Sequence, residues 1–171
     1  MTKPGIRGVF DAGPIIHLDE LKSTDLLQDF QEIVLSETVW KEIEKHRPAV
    51  IERSELSITK VRRRYPVDER LKTLCQIFCL DEGEIEALAI LENDSAATFF
   101  TDDASARLVA EQFGFKVHGA IGILVRSIRR AQRKPEDVLS IIKTIPSRST
   151  LYIKASLLHE IINTIKKEYQ I

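Results

Sequence analysis

The chain alternates short apolar runs with longer amphipathic ones. Residues 6–11 are rich in β-branched and aromatic side chains and stop at Gly13-Pro14, which predicts a short buried strand with a turn behind it. Pro14 suits the first position of a helix over 15–21. A second strand is predicted over 32–35, after which Ser36 caps a helix over 37–45 that ends before Pro48. A strand follows over 56–62, then a helix over 67–78 with Leu71, Leu74 and Phe78 at matching spacing. Further on come a helix over 82–92, a strand over 97–101, a helix over 103–113 closed by Gly114, a brief strand over 116–118 and a helix over 121–131. Strands alternating with helices predict an α/β fold with a mostly parallel sheet.

After Lys134 the pattern changes. Pro135-Glu136 opens a helix through Lys143 that Pro146 is expected to break. A last helix carries Leu158, Ile161, Ile162 and Ile165 on one stripe. The reading is a main domain over 1–134 and a C-terminal helical extension over 135–171. The extension is expected to pack on its own chain, with pairing to a second copy in a homodimer as the alternative.

Composition narrows the function classes. The 171 residues are 43% hydrophobic and 30% charged, which supports one packed core and excludes disordered or collagen-like classes. Lys and Arg number 25 against 26 Asp and Glu, so a uniformly basic polyanion binder is excluded. Two cysteines make no disulfide framework. The longest apolar run, 119–125, is too short to span a bilayer, and Met1-Thr2-Lys3-Pro4-Gly5 has no apolar stretch of a signal peptide behind it. A soluble, cytoplasmic protein with no membrane partner is expected.

The balanced total hides segregation. Eight acids lie between Asp81 and Asp103 with no Lys or Arg among them. Arg62-Arg63-Arg64 and the stretch with Arg126, Arg129, Arg130, Arg133 and Lys134 are basic clusters. Each cluster is either a solvated face or part of an enzyme that holds cations in an acidic cleft with a polyanion around it.

Two predicted strands run into acids: Asp11 after Val9-Phe10, and Asp102-Asp103 after Phe99-Phe100-Thr101. In open α/β sheets, ligands bind at these strand ends. A carboxylate there is partly desolvated and needs a hydrogen-bond donor, a basic partner or a metal. Asp102 has an alternative role as cap of the following helix, with Asp103 favouring its dipole. Asp11 is less easily explained so, because Ala12-Gly13 intervene before Pro14. Glu84 shares a helical stripe with Ala87, Leu88 and Leu91, an unusual place for an acid unless it has a task. A capping box between Asp81 and Glu84 is the competing explanation. Glu42 flanks the inward face marked by Val39 and Ile43 and can reach the rim of a cleft. If Asp11, Glu42, Glu84, Asp102 and Asp103 converge, their repulsion calls for divalent cations, and oxygen donors suit Mg²⁺ or Mn²⁺, one or two ions. Cys75 and Cys79 have no second pair and read as core thiols, not a zinc site.

These residues resemble a known family. The segments are Val9-Phe10-Asp11-Ala12-Gly13-Pro14-Ile15-Ile16-His17-Leu18, Leu35-Ser36-Glu37-Thr38-Val39-Trp40-Lys41-Glu42-Ile43, Leu80-Asp81-Glu82-Gly83-Glu84-Ile85-Glu86-Ala87-Leu88-Ala89, Thr101-Asp102-Asp103-Ala104-Ser105-Ala106-Arg107 and Val117-His118-Gly119-Ala120-Ile121-Gly122-Ile123-Leu124. In this order over residues 6–130, they are similar to PIN-domain nucleases of the prokaryotic, VapC-like kind and an uncharacterised PIN-like branch. The resemblance implies a three-layer α/β sandwich and a Mg²⁺- or Mn²⁺-dependent endoribonuclease that hydrolyses single-stranded RNA to 5′-phosphate and 3′-hydroxyl ends. Such a protein is often the toxin of a toxin–antitoxin pair, which would add a cognate antitoxin to the RNA as partner. By motif, Asp11, Glu42 and Glu84 match the first three acids and Asp103 the fourth, with Asp102 beside it; the metal set is Asp11, Glu84, Asp103 and Asp102. Gly13 stands where many relatives carry Ser or Thr, and the stretches between Lys45 and Glu82 and after Lys134 are longer than in compact toxins.

Arg62, Arg63, Arg64, Arg126, Arg129 and Arg130 are the expected RNA-contacting cations, giving salt dependence but little sequence choice. Arg107, four residues after Asp103, is expected to pair with it along the helix. Aromatic residues make up 6%, which argues against a broad stacking platform. The alternative to a nuclease is a PIN-like module that binds RNA or protein without cleaving. A receiver-type phosphoryl-transfer protein is disfavoured, because its paired acids come early and a late lysine follows a strand.

Overall fold

The computed structural model describes residues 5–94 and 96–171; residues 1–4, read above as carrying no signal-peptide pattern, lie outside the described residues. Strands β1 (Ile6–Phe10), β2 (Phe30–Ser36), β3 (Ile58–Val61), β4 (Thr98–Phe100) and β5 (Val117–His118) form one parallel sheet in the order β3-β2-β1-β4-β5. The α/β fold with a parallel sheet expected from the alternation, and the sandwich implied by the resemblance, are therefore present, with every described pairing parallel. Side chains alternate across it, so adjacent residues enter different cores. Val9, Val34 and Phe99 face one layer; Phe10, Ile33, Leu35 and Phe100 face the other.

The first layer is built by α4 (Glu69–Ile77), α5 (Glu82–Asn93) and α6 (Ala104–Gln112), which supply Leu71, Cys75, Leu88, Leu91 and Val109. The opposite layer holds α1 (Ala12–Glu20), α2 (Glu37–His46), the short α3 (Pro48–Ile51), α7 (Ala120–Arg129), α8 (Pro135–Arg148) and α9 (Ala155–Tyr169). Val138, Leu139, Ile142, Ile145 and Ile165 of the last two helices are buried in the same core as α1, α2 and α7.

The structure corrects the predicted elements in places. α1 starts at Ala12, ahead of Pro14, because Asp11 already accepts a hydrogen bond from the Ala12 amide. A 3-10 turn over Thr24–Asp29 and α3 fill predicted loops. Pro146 sits inside α8 and does not break it. It removes only the amide that would reach back to Ile142, and the burial of Ile142 and Ile145 keeps the last turn in place.

A glycine is required in the centre of the sheet. Phe10 stacks on Phe100 at 4.4 Å, and Phe30 meets both edge-on at 5.1 and 5.0 Å. A Cβ at Gly8 would lie 2.6 Å from a ring carbon of Phe10 and 2.8 Å from one of Phe100, so the stacked rings would have to shift. Gly8→Ala is expected to destabilise the fold by about 1–3 kcal/mol through overpacking, read from the denaturant midpoint. An unchanged midpoint would show that the ring cluster is loosely packed.

Candidate active site

The N-termini of four helices meet at the carboxyl ends of β1, β4 and β5, and each is served by an acid. Asp11 is the N-cap of α1, with Oδ1 accepting from Ala12 N at 2.8 Å. Asp81 is the N-cap of α5 and forms a reciprocal capping box with Glu84: Glu84 N donates to Asp81 Oδ1 and Asp81 N donates to Glu84 Oε2, both at 2.9 Å. Asp103 is the N-cap of α6, accepting from Ala106 N at 2.8 Å. Asp102 reaches across to α7, where Ala120 N donates to its Oδ1 at 2.8 Å. Helix N-termini favour negative charge, which holds these carboxylates in place without Lys or Arg.

The capping roles of the Asp-Asp pair are thus corrected: Asp103, not Asp102, caps α6. Asp102 can approach α7 so closely because residue 119 is glycine; a Cβ there would stand 2.2 Å from Asp102 Oδ1. Arg107 does not pair with Asp103. Its guanidinium donates to the carbonyls of Thr101 and Val117, at 3.2 and 3.4 Å, and so ties two strand ends together.

Asp11, Glu42, Asp81, Asp102 and Asp103 line one open cleft of about 430 Å³, together with Gly13, His17, Leu151 and Tyr152. Glu84 lies behind the wall, only 7% exposed. Thr101, fully buried, joins the two strand ends: its hydroxyl donates to Asp11 Oδ2 at 3.2 Å and accepts from Asp103 N at 3.1 Å. That hydroxyl reaches the first acid from the neighbouring strand, where Gly13 brings none. The remaining oxygen of Asp102 meets His17 Nδ1 at 2.7 Å.

Burial, reinforced by neighbouring acids, dominates the electrostatics of the site. Burial pushes the Asp11 carboxyl up to about 6; the Ala12 amide and Thr101 hydroxyl oppose the shift, while Asp81 and Glu42 add to it. Burial likewise pushes Glu84 up to about 7; the Asp81 amide opposes this, and the charges of Asp81, Asp103 and Asp11 reinforce it. Among the described residues, no three His, Cys, Asp or Glu side chains are gathered tightly enough to hold a metal ion. The donor set nevertheless fits a hard dication in chemistry: every cleft acid offers oxygen, and the repulsion at Asp11 and Glu84 is what a cation would relieve.

Three cleft residues were not assigned a role from sequence. Asp81 carried only the capping signal beside Glu84, and His17 sits one helical turn and a half into α1 with nothing nearby in sequence to mark it. Tyr152 lies on the segment between α8 and α9, about 140 residues from Asp11.

The arginines are placed apart from the cleft. Arg62, Arg63 and Arg64 line a groove between α2 and α5, beside Glu37, Glu82 and Glu86. Arg64 pairs with Glu82 at 2.9 Å, and Arg63 lies over the Tyr65 ring at 5.3 Å. Arg126, Arg129 and Arg130 line a different pocket over Phe100 and His118. There Arg126 and Arg130 both clasp Asp29, each at 2.8 Å, which offsets part of that patch's charge. Among the described residues, no helix is long and apolar enough to cross a membrane.

A family model described as a PIN domain matches residues 7–167. No curated protein matches the chain.

The two raised carboxyls have a consequence for stability. Each binds its proton more tightly folded than unfolded, so its contribution is complete below about pH 4 and is lost as pH rises through about 6 and 7. With chelator present, wild type is expected to lose stability from about pH 4 to about pH 7.5. Asp11→Asn should exceed wild type by roughly 1–3 kcal/mol at about pH 7.5, and the gap should close near pH 4. Urea unfolding across this range checks it; a gap independent of pH would contradict the burial of an ionisable Asp11.

Proposed function

The chain belongs to the PIN-domain family, whose fold is of the nuclease type, and from that premise we propose that it is a Mg²⁺- or Mn²⁺-dependent endoribonuclease acting on single-stranded RNA. The observation that carries this reading is the gathering of Asp11, Glu42, Asp81, Asp102 and Asp103 around one cleft at the strand ends, with the buried Glu84 behind its wall. Asp11, Glu84 and Asp103 would hold the ion, with Glu42 and Asp102 completing the set directly or through water. When bound, such an ion supplies charge stabilisation on phosphate oxygens and a more acidic water.

The chain's own residues do the rest. Thr101 orients Asp11 and the Asp103 backbone together, so the two strand ends move as one unit. The capping box holds the buried Glu84 carboxylate against the start of α5, directly behind the cleft wall. His17 fixes Asp102 from one side and the α7 N-terminus from the other, leaving Asp102 less freedom than Asp103. Arg62 to Arg64 offer cations for RNA phosphates outside the acidic wall. The C-terminal helices and the long segment after α2 set the chain apart from compact toxins, so a toxin role with a cognate antitoxin is the narrower form of the proposal.

A binding-only module is the second reading. It is favoured by the backbone bonds that Asp11, Glu84, Asp102 and Asp103 already accept.

One assay separates the two. Wild type is expected to cleave a single-stranded oligoribonucleotide when Mn²⁺ is added and to stop when it is chelated. Asp11→Asn should lose at least about a hundredfold in rate while keeping its circular dichroism spectrum. Undiminished cleavage by Asp11→Asn would remove the mechanism, and binding without any cleavage by wild type would establish the second reading.

A further inference from the structure

We infer that Tyr152 is the stacking face for one nucleobase of a single-stranded substrate, which makes it a specificity-determining residue of this cleft. The inference rests on the nuclease reading above and adds how a strand is held there. Tyr152 lines the same cleft as Asp11, Glu42 and Asp103, yet it is 84% exposed.

The exposure is not that of a loose loop. The residues on either side, Leu151 and Ile153, pack against the core, so the alternation of the extended segment turns the Tyr152 ring outward. The segment is also pinned to α1. Glu20 accepts from Ser149 Oγ and Thr150 N, both at 2.7 Å, and from Thr150 Oγ1 at 2.9 Å. Against the upward push of its partial burial, these bonds hold the Glu20 carboxyl below its usual range, so the clamp is ionised at neutral pH. Ser149 Oγ in turn accepts from Leu151 N at 3.1 Å. The backbone that carries Tyr152 is therefore fixed at the mouth of the cleft, and almost none of the ring's apolar area is covered.

The chemistry of the walls selects the occupant. Acidic walls repel the phosphates of a nucleic acid wherever no cation intervenes, so a strand needs an attraction that does not depend on charge. Base stacking on an aromatic ring supplies it, and a pinned backbone leaves only the two side-chain torsions of Tyr152 to be ordered on binding. Among the described residues lining the cleft, the other ring, the His17 imidazole, is held by Asp102, so Tyr152 offers one face and one base is read. A flat surface of a second chain would meet the ring but would leave the concave acidic wall unfilled.

The test uses the whole chain with a single-stranded decaribonucleotide carrying 2-aminopurine at each position in turn. Ca²⁺ replaces Mn²⁺ so that binding is read without turnover. Wild type should quench the fluorophore sharply at one position. Tyr152→Phe and Tyr152→Trp should keep the quench; Tyr152→Ala should lose it and bind about tenfold or more weakly. The slope of affinity against salt should stay as in wild type, because no phosphate contact is removed. Tyr152→Ala in Mn²⁺ should raise KM with little change in kcat. Equal quenching and equal KM for Tyr152→Ala, with wild type active, overturn the Tyr152 assignment alone. A wild type that neither binds nor cuts the RNA overturns the nuclease reading and this one with it. Loss of a dimer in sedimentation by Tyr152→Ala, with RNA binding unchanged, assigns the ring to a second copy and also overturns it.

Discussion

The molecule is organised around carboxylates held close together in a partly dry place. Asp11 and Glu84 are both pushed well above ordinary acid values by burial, and the nearby charges of Asp81, Asp103 and Glu42 push them further. Left to themselves such groups would be expelled to water or neutralised. The fold keeps them by giving each a backbone donor at a helix start. Capping and ligand-holding are therefore not rival explanations of these acids. One oxygen each of Asp11, Asp81 and Asp103 takes a helix-start amide, which leaves the other without a capping task.

Sheet topology decides where this happens. In the order β3-β2-β1-β4-β5, the chain leaves β1 toward β2 on one side and returns to β4 on the other. The crevice between the ends of β1 and β4 is the point at which the strand order reverses, the usual place for a ligand in such sheets. Asp11 follows β1, and Asp102 and Asp103 follow β4. Thr101 bridges them, and Gly8 allows Phe10 and Phe100 to stack directly beneath. The aromatic stack holds the two central strands in register at the level where their ends must present the acids. The rigidity of the site is thus a property of the core below it.

Much of this was legible in the chain. Strand ends terminating in Asp11 and Asp102-Asp103 and the inward stripe of Glu84 are local signals, and local signals survive folding. The misreadings have a common cause in contacts distant in sequence. Capping of the next helix stands open for Asp102 in the sequence because nothing nearby reveals that the α7 amide at Ala120 arrives from beyond β5. Arg107 was read by helical spacing as partner of Asp103, whereas strand-end carbonyls at Thr101 and Val117 compete for it. Arg126 and Arg130 form a basic run in sequence, and only the fold brings Asp29 between them. Tyr152 was invisible because a tyrosine in a connecting segment has no period to mark it; its placement depends on Glu20, far away on α1.

Proton release on metal binding tests the central claim most directly. If Asp11 and Glu84 are partly protonated near neutrality and converge on one dication, Mn²⁺ must displace their protons. Calorimetric titration in buffers of different ionisation enthalpy should show proton release between about pH 6 and pH 7, fading toward about pH 8.5 as both groups are already ionised. Mn²⁺ that fails to bind, or that binds with no proton release anywhere in that range, would contradict the account.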